Sequence, residues 1–247
     1  MRDDLVYAQA SVDWAVANFP ALEKRTSDWV NGNLYSDIKD AGPNSPNNVL
    51  VIVEREPLPI SIQVEVGAYI NAIRSGLDIL ATTLAYRHRV PNPDNTYFPV
   101  AGDDVAFQGG NYKGNKFVKA LPATERAIIE SLKPYKGGND TLWTLHHLDI
   151  VRKHRRLLAV EARLGSAWVT NWGPSTNFVP LPEMPGSFRV NDETVLGLIP
   201  KGIPKPHVMF TAFVAIDEPD TGFLKPLMAA LSDFASTADS IIKLFDY

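Results

Sequence analysis

Apolar residues recur at helical spacing in three long stretches of the chain. The clearest stretch is 62–87, where the apolar positions alternate in steps of four and three and fall within about 80° of a helical wheel. Its members are Val66, Ile70, Ile73, Leu77, Leu80 and Leu84. A similar stripe covers about 223–245, and a third covers 3–30, where Pro20 is expected to break the helix. The pattern predicts a core built from amphipathic helices.

Strands are predicted where β-branched residues cluster between turn residues. The first is "VLVIVERE" at 49–56, which follows a loop rich in Pro, Asn and Gly. Three more occur in the second half of the chain, at 157–165, 187–200 and 207–217, separated by "PLPEMPG" and "PKGIPKP". The expected fold class is therefore α+β, a helical bundle unit with an antiparallel β-sheet packed against it.

The chain changes character near residue 158. A helical part of about 1–158, with its strand near 49–56, is followed by a β-rich part of about 159–217 and a C-terminal helix of about 223–245. Because the first strand and the last helix can cross this boundary, we expect one composite domain spanning 1–247. The segment 89–116 is rich in Gly and Asn and too long for a plain connection, so it is either a functional lid or a mobile insertion.

Composition narrows the classes of function. Hydrophobic residues make up 45% and charged residues 21%, with a net charge of −4, so any RNA contact needs a local basic patch. The absence of cysteine excludes disulfides, thiolate metal sites and a cysteine nucleophile. No secretory signal pattern and no apolar run of membrane-spanning length occur. We expect a soluble, cytoplasmic protein without a membrane partner.

The stretch "TLWTLHHLDIVRKHRRLL" at 141–158 places histidines inside a helical apolar pattern. A wheel anchored on Trp143 predicts that His147 and His154 share the buried face. The apolar residues of that face are Ile150, Val151, Leu157 and Leu158. A histidine on such a face is either a hydrogen-bonded core residue or a functional one.

The same wheel distributes the charged residues of this helix. Arg152 and Arg156 fall opposite Trp143 and are expected to be solvated and to complement the helix dipole. On one flank, beside His146, Asp149 and Lys153 have the i,i+4 spacing of a surface ion pair.

A polar stripe on the 62–87 helix offers partners for these histidines. Asn71, Arg74 and Asp78 share one helix face, next to the apolar seam. If the two helices pack antiparallel, this stripe would meet His147 and His154. The alternative is a solvated stripe with one ion pair between Arg74 and Asp78.

General acid–base chemistry suits these residues better than other mechanisms. Two histidines seven residues apart are about 10 Å apart along a helix, too far to bind one zinc ion, so neither a metal nor another cofactor is predicted. No serine-nucleophile or phosphate-loop motif has the required spacing. Metal-independent RNA cleavage needs a histidine and a nearby cation. Lys153 and Arg155 of the run "RKHRR" would add phosphate contacts.

Four motifs in order carry a resemblance to a group of uncharacterised bacterial proteins: "NAIRSGLDILATTLA", "YFPV", "LPATERAIIESLKPY" and "LWTLHHLDIVRKHRRLL". That group shares N-x-x-R-S-x-L-D and L-W-x-L-H-x-L-D-x-x-x-K-H-R. The chain also resembles, more distantly, HEPN-type helical domains, many of them ribonucleases with R-x(4–6)-H on one helix. Here Arg152 and His154 are only two residues apart; His154 would be the histidine and Asn71 the polar residue of the neighbouring helix.

Two hypotheses follow. The first is a HEPN-like protein that binds or cleaves RNA, with His154, His147 and Arg74 as catalytic residues and Asn71, Asp78, Lys153 and Arg155 as ligand-binding residues. The second is a non-catalytic module that binds a ligand or a protein and contains a buried structural polar network. Both hypotheses are compatible with a homodimer, because the apolar seams of residues 66–84 and 224–245 offer more apolar helix surface than one small core needs.

Overall fold

The computed structural model describes residues 1–109, 113–170, 179–180, 188–189, 193–218 and 222–247. Within them the fold is α+β, as predicted, with two small antiparallel sheets packed on helices. The helices are α1 Val6–Asn33, α2 Ile60–Arg87, α3 Asp104–Gln108, α4 Lys113–Ala120, α5 Ala123–Ser131, α6 Asp140–His154 and α7 Leu227–Lys243. The strands are β1 Leu34–Asp40, β2 Asn47–Glu54, β3 Val160–Thr170, β4 Val179–Pro180, β5 Phe188–Arg189, β6 Glu193–Pro200, β7 His207–Glu218 and β8 Phe223–Pro226.

Helix α2 lies at the centre of the helical part and packs against α1, α6 and α7. All six apolar positions of its predicted stripe are fully buried. The apolar stripe of α7 is buried in the same core, including Leu231, Phe234 and Phe245. The predicted seams therefore pack largely against each other inside one chain, although Leu224 at the start of the second seam is exposed.

The expected break at Pro20 is wrong, because α1 continues through this residue. Pro20 is exposed, whereas Phe19 and Leu22 beside it are buried in the helical core. A proline within a helix removes one backbone hydrogen bond. Packing of the flanking apolar residues outweighs this local cost.

The two sheets are both antiparallel, with strand orders β1-β2-β6-β4 and β5-β3-β7-β8. A second hydrophobic cluster draws on both of them, so the sheets pack face to face rather than forming the single sheet expected. Its members are Trp29, Leu34, Leu50, Ile52, Ala162, Leu164, Leu196 and Ile199. The pairing of β2 with β6 joins the helical part of the chain to the β-rich part that follows residue 158.

The pattern of apolar and polar residues did not predict strands β1 and β8. Strand β1 is an edge strand that pairs only with β2 among the described residues, and most of its side chains are half-buried, so it has no apolar alternation to detect. Strand β8 occupies the start of the predicted 223–245 helix. Helix α7 begins after Pro226, because residues 223–226 pair with β7 instead.

The segment 89–116 is more regular than predicted. It contains a short 3-10 helix at Pro93–Asn95, then α3, and then the first residues of α4. The side chain of Asp103 caps α3 by accepting a hydrogen bond from the backbone N–H of Ala106 at 2.7 Å. Residues 110–112 of this segment lie outside the described residues. No helix in the described part of the chain is long and apolar enough to cross a membrane.

Candidate functional site

Helices α2 and α6 pack antiparallel, which is the arrangement under which their polar residues were expected to meet. Arg74 contacts His146, Asn71 contacts Asp149, and Gly67 packs against the side chain of Arg152. As the residue number falls from 74 to 67 on α2, the number of the contacting residue rises from 146 to 152 on α6. A Cβ atom on Gly67 would lie 2.6 Å from Cδ of Arg152, so glycine allows this close approach.

Arg74 is the centre of the polar network, and its residue is only 2% exposed. Its Nε donates to Nδ1 of His146 at 3.2 Å, Nη1 to Oδ1 of Asp78 at 2.6 Å, and Nη2 to the backbone oxygen of Phe98 at 2.9 Å. Oδ1 of Asp78 also accepts from the backbone N–H of Phe98 at 2.9 Å. Arg74 and Asp78 therefore hold both backbone polar groups of Phe98.

Asp149 forms the second half of the network. It accepts a hydrogen bond from Asn71 Nδ2 at 3.1 Å, and its carboxylate lies 2.6 Å from Lys153 Nζ and 3.3 Å from Arg152 Nη2. The predicted ion pair with Lys153 is confirmed, but Asp149 is buried rather than on the surface. Since a buried carboxylate needs partners for its charge, Asn71, Lys153 and Arg152 have a structural use.

His146 is held in its neutral form. Burial, followed by the charge of Arg74, lowers the pKa of His146 to about 4. Because an arginine can only donate hydrogen bonds, Nδ1 of His146 must be unprotonated, and the ring proton lies on Nε2. Nδ1 is therefore already used as an acceptor inside the network.

The titration of His146 makes stability depend on pH. Its pKa is about 4 in the folded protein and about 6.5 in an unfolded chain. Between these values the unfolded chain binds more protons, so the free energy of unfolding falls as the pH is lowered from about 6.5 toward 4, by up to about 3 kcal/mol. Urea unfolding at about pH 7.5 and about pH 5 should show this loss, and His146→Gln should reduce it. His154→Gln on the same helix is the control; equal losses in wild type and His146→Gln would contradict the assignment.

The predicted buried face of α6 is only partly correct: Val151 and Leu158 are buried, but Ile150 is half-buried, and the inward orientation of His154 is wrong. The buried residues of the helix are Leu142, Thr144, Leu145, Leu148, Asp149 and Val151. His154 is exposed at the end of the helix, and Leu157 is exposed beyond it. The wheel failed because its anchor, Trp143, is only half-buried, and because it continued past His154, where α6 ends.

His147 also lies away from Arg74 in the described contacts. Its ring stacks on Trp143 with centroids 5.0 Å apart, and Lys136 Nζ lies 4.9 Å from the centre of the Trp143 ring. Trp143 and His147 are both half-buried. The described contacts thus do not bring the proposed catalytic set of His154, His147 and Arg74 together, and His146 is the histidine that contacts Arg74.

The basic run "RKHRR" is less available than its sequence indicates. Arg152 and Lys153 pair with buried Asp149, and Arg156 pairs with Glu218, which is fully buried. The prediction that Arg152 and Arg156 are merely solvated is wrong, since both meet buried carboxylates. His154 and Arg155 are exposed.

A cleft of about 800 Å³ lies next to the network. One wall is the 90–97 segment and the other is α4. Tyr97 belongs to the first wall, and it directly precedes Phe98, whose backbone is hydrogen-bonded to Arg74 and Asp78. This volume is within the usual range of small-molecule pockets. Sequence reasoning missed Tyr97, and the only signal was the unusual length of the irregular segment.

The polar groups of the cleft include a neutral phenol. Burial and the charge of Asp78 raise the pKa of Tyr97, so its hydroxyl remains a hydrogen-bond donor. Asn92 and Asn95 line the same wall, and Asn92 adopts φ 54°, a left-handed conformation that asparagine tolerates better than most residues. Val90 and Phe117 supply buried apolar surface. The arrangement can bind a small molecule that has polar and apolar parts.

Among the described residues, no group of three or more histidine or carboxylate side chains could hold a metal ion. Comparison with known proteins found no matching family model, no matching curated protein and no matching solved structure. The α2–α6 network and the cleft beside Tyr97 are therefore the features from which a function is inferred.

Proposed function

We propose that this chain is a non-catalytic binding module in which the buried polar network holds one wall of a small-molecule cleft. The observation that carries the proposal is a pair of hydrogen bonds to the backbone of Phe98. Arg74 Nη2 donates to its backbone oxygen at 2.9 Å, and its backbone N–H donates to Oδ1 of Asp78 at 2.9 Å. Tyr97 is the adjacent residue and lines the cleft. A rigid wall lowers the entropic cost of binding, because the binding groups are positioned beforehand.

The contacts of Arg74 and His146 favour a structural over a catalytic role. Each of the three guanidinium nitrogens of Arg74 already has a protein acceptor. A general acid or base works best with a pKa near the operating pH, whereas the pKa of His146 is about 4. The RNA hypothesis would also need His154, which lies outside these contacts.

The test of the binding proposal is to block the cleft. Ala120 is an exposed residue of α4 that lines the cleft, so Ala120→Trp should fill it without touching the network. We expect small-molecule fragments, detected by saturation-transfer NMR, to bind the wild type and to bind Ala120→Trp about tenfold or more weakly. Lys119→Trp, at the neighbouring exposed position outside the cleft lining, is the matched control. Absence of fragment binding, or equal binding by both variants, would overturn the proposal.

The same preparations test the competing RNA hypothesis. We expect no cleavage of RNA by the wild type in the absence of metal ions. Cleavage by the wild type that is lost in His154→Ala, or in an Arg74→Ala variant shown by circular dichroism to be folded, would show catalysis and would replace the binding proposal. Arg74→Lys retains the positive charge and serves to separate loss of charge from loss of the hydrogen-bond geometry.

A further inference from the structure

The cleft beside Tyr97 carries two opposite charges that do not neutralise each other. Asp94 lines the wall formed by residues 90–97, and Lys116 lines the wall formed by α4. Within the described part of the chain, no ion pair joins these two residues or joins Lys116 to another carboxylate. Asp94 accepts a hydrogen bond from the hydroxyl of Tyr86, which is a neutral donor and leaves the negative charge in place.

The same cleft is lined by uncharged polar groups. The side chains of Asn92, Asn95 and Tyr97 make no hydrogen bond to another described residue, so they remain open to a ligand. Val90 and Phe117, both buried, provide apolar contact below them. The cleft therefore combines a cation, an anion, neutral hydrogen-bonding groups and an apolar floor.

This combination selects against ligands of one charge. A purely anionic ligand would be attracted by Lys116 and repelled by Asp94. A purely cationic ligand would be attracted by Asp94 and repelled by Lys116. A ligand with both charges can pair with both, and these pairs strengthen as the ligand displaces water from the cleft.

We propose that the cleft binds a small zwitterion with an apolar body, such as a free dipeptide, whose carboxylate pairs with Lys116 and whose ammonium group pairs with Asp94. This inference rests on the proposed binding function and names the ligand class for the same cleft. Asn92, Asn95 and Tyr97 then serve the peptide group between the two charged ends.

The test uses three matched sets of probes in isothermal titration calorimetry. The first is a panel of apolar dipeptides, including leucyl-phenylalanine; the second is their N-acetyl derivatives, which lack the ammonium group; the third is their C-terminal amides, which lack the carboxylate. We expect wild-type protein to bind the free dipeptides about tenfold or more tightly than either derivative, because each lost ion pair removes a charge-assisted hydrogen bond.

Two variants assign the charges to their residues. Asp94→Asn should abolish the preference for the free dipeptide over its N-acetyl derivative, and Lys116→Gln should abolish the preference over the amide. Lys119→Gln, an exposed lysine of the same helix that does not line the cleft, should change neither preference. Circular dichroism spectra of all variants verify folding.

The possible failures are distinguishable. Equal affinity for dipeptides and derivatives, or no dipeptide binding by a protein whose cleft still binds fragments, overturns the zwitterion proposal and leaves the binding function standing. Absence of any ligand from the cleft, in the fragment screen as well, overturns both. A charge preference that survives Asp94→Asn and Lys116→Gln places the zwitterion elsewhere and also overturns the inference.

Discussion

Replacement of Arg74 by alanine is expected to lower the free energy of unfolding by about 3 kcal/mol. The substitution leaves the backbone oxygen of Phe98 without its buried donor and leaves Asp78 without its cation. Asp78 is 33% exposed, so water compensates part of its charge. The loss should therefore fall near the lower end of the range for broken buried ion pairs. Urea unfolding followed by circular dichroism measures it.

Two further variants show whether the stabilisation depends on the hydrogen-bond geometry and the burial of Arg74. Arg74→Lys keeps the charge but cannot reach three acceptors in the plane of a guanidinium, so it should recover only part of the loss. Arg25→Ala removes another arginine that pairs with α2, through Glu65, but its side chain is 49% exposed. Such a surface pair should cost less than about 1 kcal/mol. Equal effects of Arg74→Ala and Arg25→Ala would show that the network is not a structural element.

Glu218→Ala is expected to lower the free energy of unfolding by about 2–3 kcal/mol. Glu218 is fully buried, accepts two hydrogen bonds from Arg156 at 2.8 and 2.9 Å, and accepts a third from the backbone N–H of Ala159 at 3.0 Å. It thus fastens the chain just after α6 to the end of β7. Removing the carboxylate leaves the Ala159 N–H without this acceptor, whereas Arg156, 42% exposed, regains water.

A double-mutant cycle isolates the contact between Arg156 and Glu218. We expect the coupling energy from Glu218→Ala, Arg156→Ala and the double variant to exceed about 1 kcal/mol. The control is the pair of Lys225 and Asp233, both well exposed, where the coupling should be smaller. A coupling near zero for Arg156 and Glu218 would contradict the proposed fastening of α6 to β7.

The parts of the fold that follow from local periodicity were predictable. The α2 stripe from Val66 to Leu84 has regular spacing, and the strongly β-branched run at 49–56 overlaps β2. The polar partners on α2 were also predictable, because Asn71, Arg74 and Asp78 share a face beside that stripe. Their contacts with α6 confirm that this face meets a neighbouring helix.

The histidine beside Arg74 was not predictable, because the choice depended on which apolar residues of α6 are buried. The wheel was anchored on Trp143 and Ile150, which are half-buried, and this turned the inferred buried face toward His147. The buried positions Leu142, Leu145, Leu148 and Val151 are spaced by three, and His146 lies next to Arg74. Local apolar spacing allowed both interpretations, and only packing against α2 distinguishes them.

Contacts between residues far apart in the chain could not be predicted from the local spacing of apolar and polar residues. Arg156 pairs with Glu218 of β7, and the cleft joins the 90–97 segment to α4. Neither pairing has a periodic signal, since each depends on how separate elements pack. The sequence therefore indicated the polar stripe of α2 but neither Tyr97 nor the charges across the cleft.

The pairing of β2 with β6 sets the order in which the first sheet can form during synthesis. Residues 55–192 lie between the two strands, so β2 leaves the ribosome with only β1 as a partner. At ordinary translation rates the wait for β6 is on the order of ten seconds. Through that interval one edge of β2, with the apolar side chains of Leu50 and Ile52, is open to wrong pairing with other nascent chains. We therefore expect the hairpin of β1 and β2 to be prone to wrong pairing until β6 has been synthesised.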